Sequence, residues 1–185
     1  MTLQTTPPWL SLWRTAFHKN RDRLVQAATV SPDGLPEVRT VVLRGLAEET
    51  GYPYLFSDAR SAKYRALEAG SQMSLHTWWG KTSEQFRLRG EVETVQREDH
   101  PWGQRRQELW WSQGEKNRRL FLRQPPGTPV EATPTGVEDQ TKPPKHFALM
   151  ILSPLHVDYL KLGDPQERLI WRLEGDEWRG GQVVP

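Results

Sequence analysis

Residues 37–46 read EVRTVVLRGL, and how this run folds decides the architecture. It is rich in β-branched and apolar residues, as a strand is. Strict alternation puts Arg39, Val41 and Leu43 on one face and Thr40, Val42 and Arg44 on the other. A second run of this kind, RLVQAATV, occupies residues 23–30, and SPDGLP (31–36) lies between them. Asp33-Gly34 supplies the turn chemistry, so residues 23–46 are expected to form a β-hairpin with a loop longer than two residues. Arg39 and Arg44 then lie on opposite faces and cannot serve one ligand group unless a bulge intervenes. Each can line a different part of a groove.

Downstream, YPYLFS (52–57) predicts a third strand that runs into a short helix capped by Ser57 or Asp58. SQMSLHTWW (71–79) and QFRLRGEVETV (85–95) predict another pair across GKTSE. In the latter, Phe86, Leu88 and Val92 face one way, and Gln85, Arg87 and Arg89 the other. Gly90 within that strand marks a bulge or a close backbone approach. Residues 98–123 read as helix, divided near Gly114, and the Pro- and Thr-rich residues 124–145 as a loop. Residues 147–185 return to strand. Upstream, Trp9, Leu12, Trp13, Ala16 and Phe17 follow helical spacing, with Thr6 as the expected cap and Pro7 and Pro8 suited to the first turn.

The expected fold is mainly β (α+β): a small closed barrel of roughly six antiparallel strands with peripheral helices. One domain is expected over residues 1–185. It comprises an N-terminal helix (1–20), a core barrel (22–96), a helical segment (98–123), a loop (124–145) and C-terminal strands (147–185).

Composition narrows the function. The 185 residues are 26% charged with a formal net charge of +2, too mild to argue for nucleic acid. There is no cysteine, which removes disulfides, thiolate metal sites and a cysteine nucleophile. No apolar run reaches membrane-spanning length, and MTLQTTPPWL lacks the basic start and apolar stretch of a signal peptide, so the cytoplasm is expected. His18, His100, His146 and His156 show no metal-ligand spacing, and no metal site is expected. His76 reads as a strand residue with a satisfied partner rather than a catalyst.

FSDARSAKYRAL (56–67) poses a charge problem. Arg60 and Lys63 are three apart at the start of a predicted helix. Like charges at that spacing cost a few tenths of a kcal/mol, and the helix dipole disfavours cations there. Either the face is solvated or an anion belongs on it. A phosphate would more than offset the repulsion, at roughly 1.5–3 kcal/mol per charge-assisted hydrogen bond.

Taken in order, DG-P-VRTVVLRG, YLFSDARSAKYRAL, SLHTWW and EQFRLRGEVE resemble the FMN-binding split barrel of the pyridoxamine 5′-phosphate oxidase family, most closely its cyanobacterial and plant-type branch. The resemblance covers residues 22–96, with a weaker echo in 147–173. It implies FMN as cofactor and the following contacts. Arg39 opens the flavin-binding strand, Thr40, Val41, Val42 and Leu43 run beside the ring, and Arg44 ends it where the oxidase has a lysine. Phe56 and Ser57 match an aromatic–hydroxyl pair. Ser61 and Lys63 match the phosphate-contacting serine and lysine. Ala62 replaces an arginine between them, which Arg60 is expected to supply. Gln85 matches a ring-contacting glutamine, and Arg168 the last flavin-contacting arginine. Leu160 stands where the oxidase has a flavin-side tryptophan.

The resemblance also implies a homodimer with flavin sites between protomers. Trp110, Trp111, Arg118 and Arg119 are then expected on a helix packed against the barrel or the partner, with Asn117 or Arg118 reaching the second site. The oxidase's substrate-holding tyrosine, arginine and serine are not reproduced in HPWGQRRQELWWSQGEKNRRL, and its C-terminal Arg-x-His is missing from LKLGDPQERLIW. The expected function is an FMN-dependent oxidoreductase with an altered, unidentified small-molecule substrate. No general acid or base is identified. The alternatives are a barrel using deazaflavin or haem, and a non-enzymatic module holding nucleic acid. The family-ordered Ser61, Lys63 and Gln85 argue against the last.

Overall fold

A computed structural model describes residues 6–70, 72–129 and 141–185. β1 (Leu24–Val30) and β2 (Pro36–Val42) form the expected hairpin, with Leu24 opposite Val42 and Val30 opposite Pro36. Gly34 takes φ +80° in the turn, which suits glycine because it has no Cβ to clash. Its N–H donates to the Ser31 carbonyl at 2.9 Å.

The run then breaks. Leu43 N–H bonds back to the Arg23 carbonyl at 2.8 Å, whereas Arg44 N–H bonds to the Tyr54 carbonyl at 2.9 Å. The chain thus passes from the flank of β1 to the flank of β4 (Pro53–Asp58), which it meets as β3 (Gly45–Leu46). After α2 (Ala62–Glu68) come β5 (Met73–Trp79), β6 (Glu84–Val95), α3 (Gly103–Ser112), α4 (Glu115–Phe121), β7 (Phe147–Lys161), β8 (Glu167–Glu174) and β9 (Glu177–Val183). The order is β2-β1-β5-β6-β7-β4-β3, with β8 and β9 branching from β7. The two ends of this path, β2 and β3, are successive pieces of chain, so the sheet closes into a barrel through Leu43-Arg44.

β7 accounts for the split in the barrel. One edge pairs with β6 throughout. The other pairs with β4 over residues 147–151 and with β8 over 156–161. The register slips by one residue between Arg89 and Gly90. A Cβ on Gly90 would lie 1.9 Å from the Ser153 carbonyl oxygen, so only glycine permits this approach.

α1 (Leu10–Lys19) fills the barrel as its spacing predicted. Trp13 stacks on Trp79 at 5.7 Å and meets Phe86 edge-on at 5.1 Å. Its indole N–H donates to the Gly51 carbonyl at 3.1 Å. Thr6 does not cap this helix: Trp9 takes that position without a side-chain bond, and the turn from Pro7 supplies Leu10 N–H with its acceptor at 3.0 Å. A second apolar layer lies outside, where Trp110 and Phe121 pack edge-on against Phe147. The helical segment therefore packs on the barrel, leaving Trp111 half-exposed.

Nine strands are present among the described residues, more than expected, because the Leu43-Arg44 crossing splits one run and the C-terminal segment forms three. Within the expected 124–145 loop, no helix or strand forms in 124–129 or 141–145, and residues 130–140 lie outside the described residues.

Candidate functional site

The loop between β4 and α2 carries the first cluster. Ser57, buried near the end of β4, has its hydroxyl 3.3 Å from that of Ser61. Ser61 holds the N-cap position of α2 without a side-chain cap bond, correcting the expectation of Ser57 or Asp58 there. Its hydroxyl is thereby spared and receives the Lys63 ammonium at 3.4 Å. Lys63 has no carboxylate within ion-pair distance among the described residues. Burial pushes its pKa down, the nearby Arg39 charge lowers it further, and Asp58 partly opposes both.

Arg39 comes in from β2. It donates to Thr29 Oγ1 at 2.8 Å and the Ala27 carbonyl at 3.3 Å, and pairs with Glu37 at 2.5 Å. Lys63 and the Ser57 and Ser61 hydroxyls thus lie within the field of the Arg39 charge, with Glu37 bonded to Arg39 and no carboxylate bonded to Lys63 among the described residues. That donor set suits a phosphate, which carries nearly two charges and three acceptor oxygens.

Arg60 is not part of this set. It precedes α2, so it is not a helical neighbour of Lys63. Its guanidinium binds both oxygens of Asp58, at 3.0 and 2.8 Å, and the Phe121 carbonyl at 3.2 Å. His146 bonds the same carbonyl. Arg60 therefore ties α4 to the loop rather than presenting a free cation. Arg44 comes after the crossing to β4, so the β2 alternation does not reach it; its guanidinium lies 4.1 Å from the Phe56 ring centroid. Arg118 is likewise occupied, by the Gln113 carbonyl and the face of Trp111.

The remaining candidates lie across the outer sheet face. Gln85 stands opposite Trp78 on β5 and Leu160 on β7, and Leu160 stands opposite Arg168 on β8. Gln85, Leu160 and Arg168 are thus adjacent in one cross-strand row. One row on, Arg87 stands opposite Asp158. Asp158, only 2% exposed, binds both Arg87 and Arg168, the latter at 2.9 Å. Burial pushes its pKa up, but the hydrogen bonds from Arg168 and Arg87 prevail and hold it below the usual carboxylate range. His156, opposite Arg89 and Arg172, is pushed below its ordinary value by burial and then by those arginines.

Sequence reasoning did not single out Asp158, Thr29 or Gln26. Alternation gives the face of each, but only strand register shows what stands opposite.

With this geometry established, relatives fix the family. The model of the pyridoxamine 5′-phosphate oxidase FMN-binding domain matches residues 6–96. The crystal structure of a pyridoxamine 5′-phosphate oxidase-related, FMN-binding protein from Nostoc punctiforme superposes with a TM-score of 0.84 and 30% identity, covering all of both chains. The chain belongs to the pyridoxamine 5′-phosphate oxidase-like FMN-binding family. Pyridoxine/pyridoxamine 5′-phosphate oxidase 2 of Arabidopsis thaliana is 28% identical over 165 residues, covering 84% of this chain and 83% of the relative. PhzG from Burkholderia lata shares the fold, with a TM-score of 0.79 at 16% identity over 97% and 93% of the two chains.

The protein is accordingly a split-barrel flavoprotein, and its family cofactor is FMN. The Arg39–Ser57–Ser61–Lys63 cluster fits the phosphate end of that cofactor. No helix among the described residues is long and apolar enough to cross a membrane.

Proposed function

We propose that this flavoprotein is an FMN-dependent oxidoreductase, working as a homodimer on a substrate other than the B6 phosphates that name its relatives. The observation that carries the cofactor assignment is Lys63: a partly buried, desolvated ammonium near the Arg39 charge, with two hydroxyls at hand and no carboxylate of its own among the described residues.

Lys63, Arg39, Ser57 and Ser61 hold the phosphate. β2 pairs only with β1 among the described strands, so alternate backbone groups of residues 40–43 are left free to face the ring. Gln85 contacts the ring from β6, with Leu160 and Arg168 beside it. FMN, when bound, supplies a two-electron carrier. The chain's residues bind and orient it and place positive charge around it.

The names of the relatives support oxidase chemistry. The substrate groups favour a different substrate: the Arg-x-His pair is absent, Ile170 follows two residues after Arg168, and Arg168 is engaged by Asp158. Homodimerisation is supported by the apolar outer face of β1 and β2, where Leu24 is 58% and Val38 68% exposed. A second protomer would remove this surface from water. The lack of cysteine suits a reducing cytoplasm.

The test is purification without added cofactor, followed by the visible spectrum, mass of any released chromophore, and light-scattering mass. Bound FMN in a dimer is expected, with no pyridoxal 5′-phosphate formed from pyridoxamine or pyridoxine 5′-phosphate above background. A colourless protein that also rejects added FMN refutes the assignment, and a haem or deazaflavin spectrum replaces it.

A further inference from the structure

A line of three side chains crosses the outer face of the sheet. His76 Nδ1 lies 3.0 Å from Gln26 Oε1, and His76 Nε2 lies 3.2 Å from Gln85 Oε1. Gln26 stands opposite Thr40 on β2, and Gln85 opposite Leu160 on β7. His76 therefore links the strand beside which the flavin ring is placed to the glutamine that contacts it.

The proton count makes this link more than packing. A neutral imidazole has one N–H and one bare nitrogen, whereas an imidazolium has two N–H groups. Both ring nitrogens here face amide oxygens, an arrangement that only the imidazolium satisfies. When His76 is neutral, one amide must turn so that its NH2 meets the bare nitrogen. If Gln26 turns, Gln85 keeps its carbonyl on His76 and presents its NH2 outward. If Gln85 turns, it presents its carbonyl instead. An outward NH2 donates to ring acceptors, while an outward carbonyl accepts from ring N–H groups. These preferences differ between oxidised and reduced flavin.

We propose that His76 is a positioning residue that sets which end of the Gln85 amide faces the flavin, so that its protonation tunes the bound cofactor. The charged groups facing it are Arg87, directly opposite on β6, and beyond it Asp158 on β7 and Arg168 on β8. β1 presents the neutral Gln26 and β2 the neutral Thr40. Arg87 shares the Asp158 carboxylate with Arg168, and the groups bonded to the two ring nitrogens are the Gln26 and Gln85 amides. The inference rests on the assignment of Gln85 to the flavin ring.

The experiment follows the reduction potential and visible spectrum of the FMN-loaded protein across roughly pH 5.5–8.5, the range in which histidines titrate in proteins. The wild type is expected to show a proton-linked inflection beyond that of free FMN. His76→Leu is expected to lose it while keeping its flavin content, because it does not touch the phosphate cluster. Gln26→Leu, which releases Nδ1 alone, is expected to displace it. An unchanged inflection in both variants overturns the proposal. If His76→Leu fails to fold, Gln26→Leu decides in the same way. If the protein holds no FMN, the ring assignment fails separately. The link itself is then read from the His76 ring NMR titration, which Gln85→Leu must shift for the link to stand.

Discussion

Two arginine-bearing clusters in this molecule each set two cations against one carboxylate but share it differently. Beside the β4–α2 loop, Lys63 reaches Ser61, whose hydroxyl meets that of Ser57, and feels the Arg39 charge; Glu37 bonds Arg39, and Lys63 has no carboxylate within pairing distance among the described residues. On the outer face, Arg87 and Arg168 share Asp158, which is buried and held ionised. The second cluster is complete in that each of its cations bonds the carboxylate, whereas Lys63 leaves the first incomplete and open to the phosphate proposed above. Residue type alone does not give this contrast, since arginines appear in both.

The largest expected effect lies in the complete cluster. Asp158→Asn leaves two guanidinium groups without their shared charge and is expected to cost about 3 kcal/mol in urea unfolding. Because the folded pKa of Asp158 is depressed, its contribution is present above the unfolded value of about 3.9 and is lost as pH falls through the folded value. Wild type is therefore expected to lose more stability than the variant on acidification. A cost within experimental error would remove the distinction between the clusters.

The incomplete cluster should behave in the reverse way. Lys63→Met is expected to weaken FMN binding roughly 10–100-fold, one charge-assisted hydrogen bond, by fluorescence titration. It should leave the apoprotein as stable or more so. Burial disfavours the Lys63 charge, so the unfolded chain holds the proton more firmly. Apoprotein stability is then expected to rise with pH from the lowered Lys63 value towards about 10.4. An apoprotein destabilised by Lys63→Met would show the lysine to be structural.

Arg60→Ala sharpens the comparison further, because Arg60 lies beside the first cluster but is bonded like the second. Its loss is expected to cost about 1 kcal/mol of stability and to weaken FMN binding less than Lys63→Met. Equal weakening would restore Arg60 as a phosphate ligand.

Much of this was legible in the sequence. The 23–46 hairpin, the Trp9–Phe17 helix, the break at Gly114 and the glycine at the β6 bulge all announce themselves through spacing or turn chemistry. Leu43-Arg44 did not, because alternation continues unbroken through a run that changes partners midway. Ser61, Lys63 and Gln85 were singled out as cofactor contacts by motif order. Asp158 and the Gln26–His76–Gln85 line were not, since local pattern gives a residue's face but long-range register gives its neighbour. Arg60 misled because its bond to Asp58 is a short-range turn bond that looks, in sequence, like helix charge.

The divided edge of β7 has a consequence for how this chain can vary. The barrel closes through β4 and β6, while the β8–β9 hairpin hangs from the far half of the same strand and pairs with nothing else. Substitutions on the outer face of that hairpin, as at Arg168, alter what stands beside Gln85, whereas Trp171 and Trp178 tie its inner face to the barrel core.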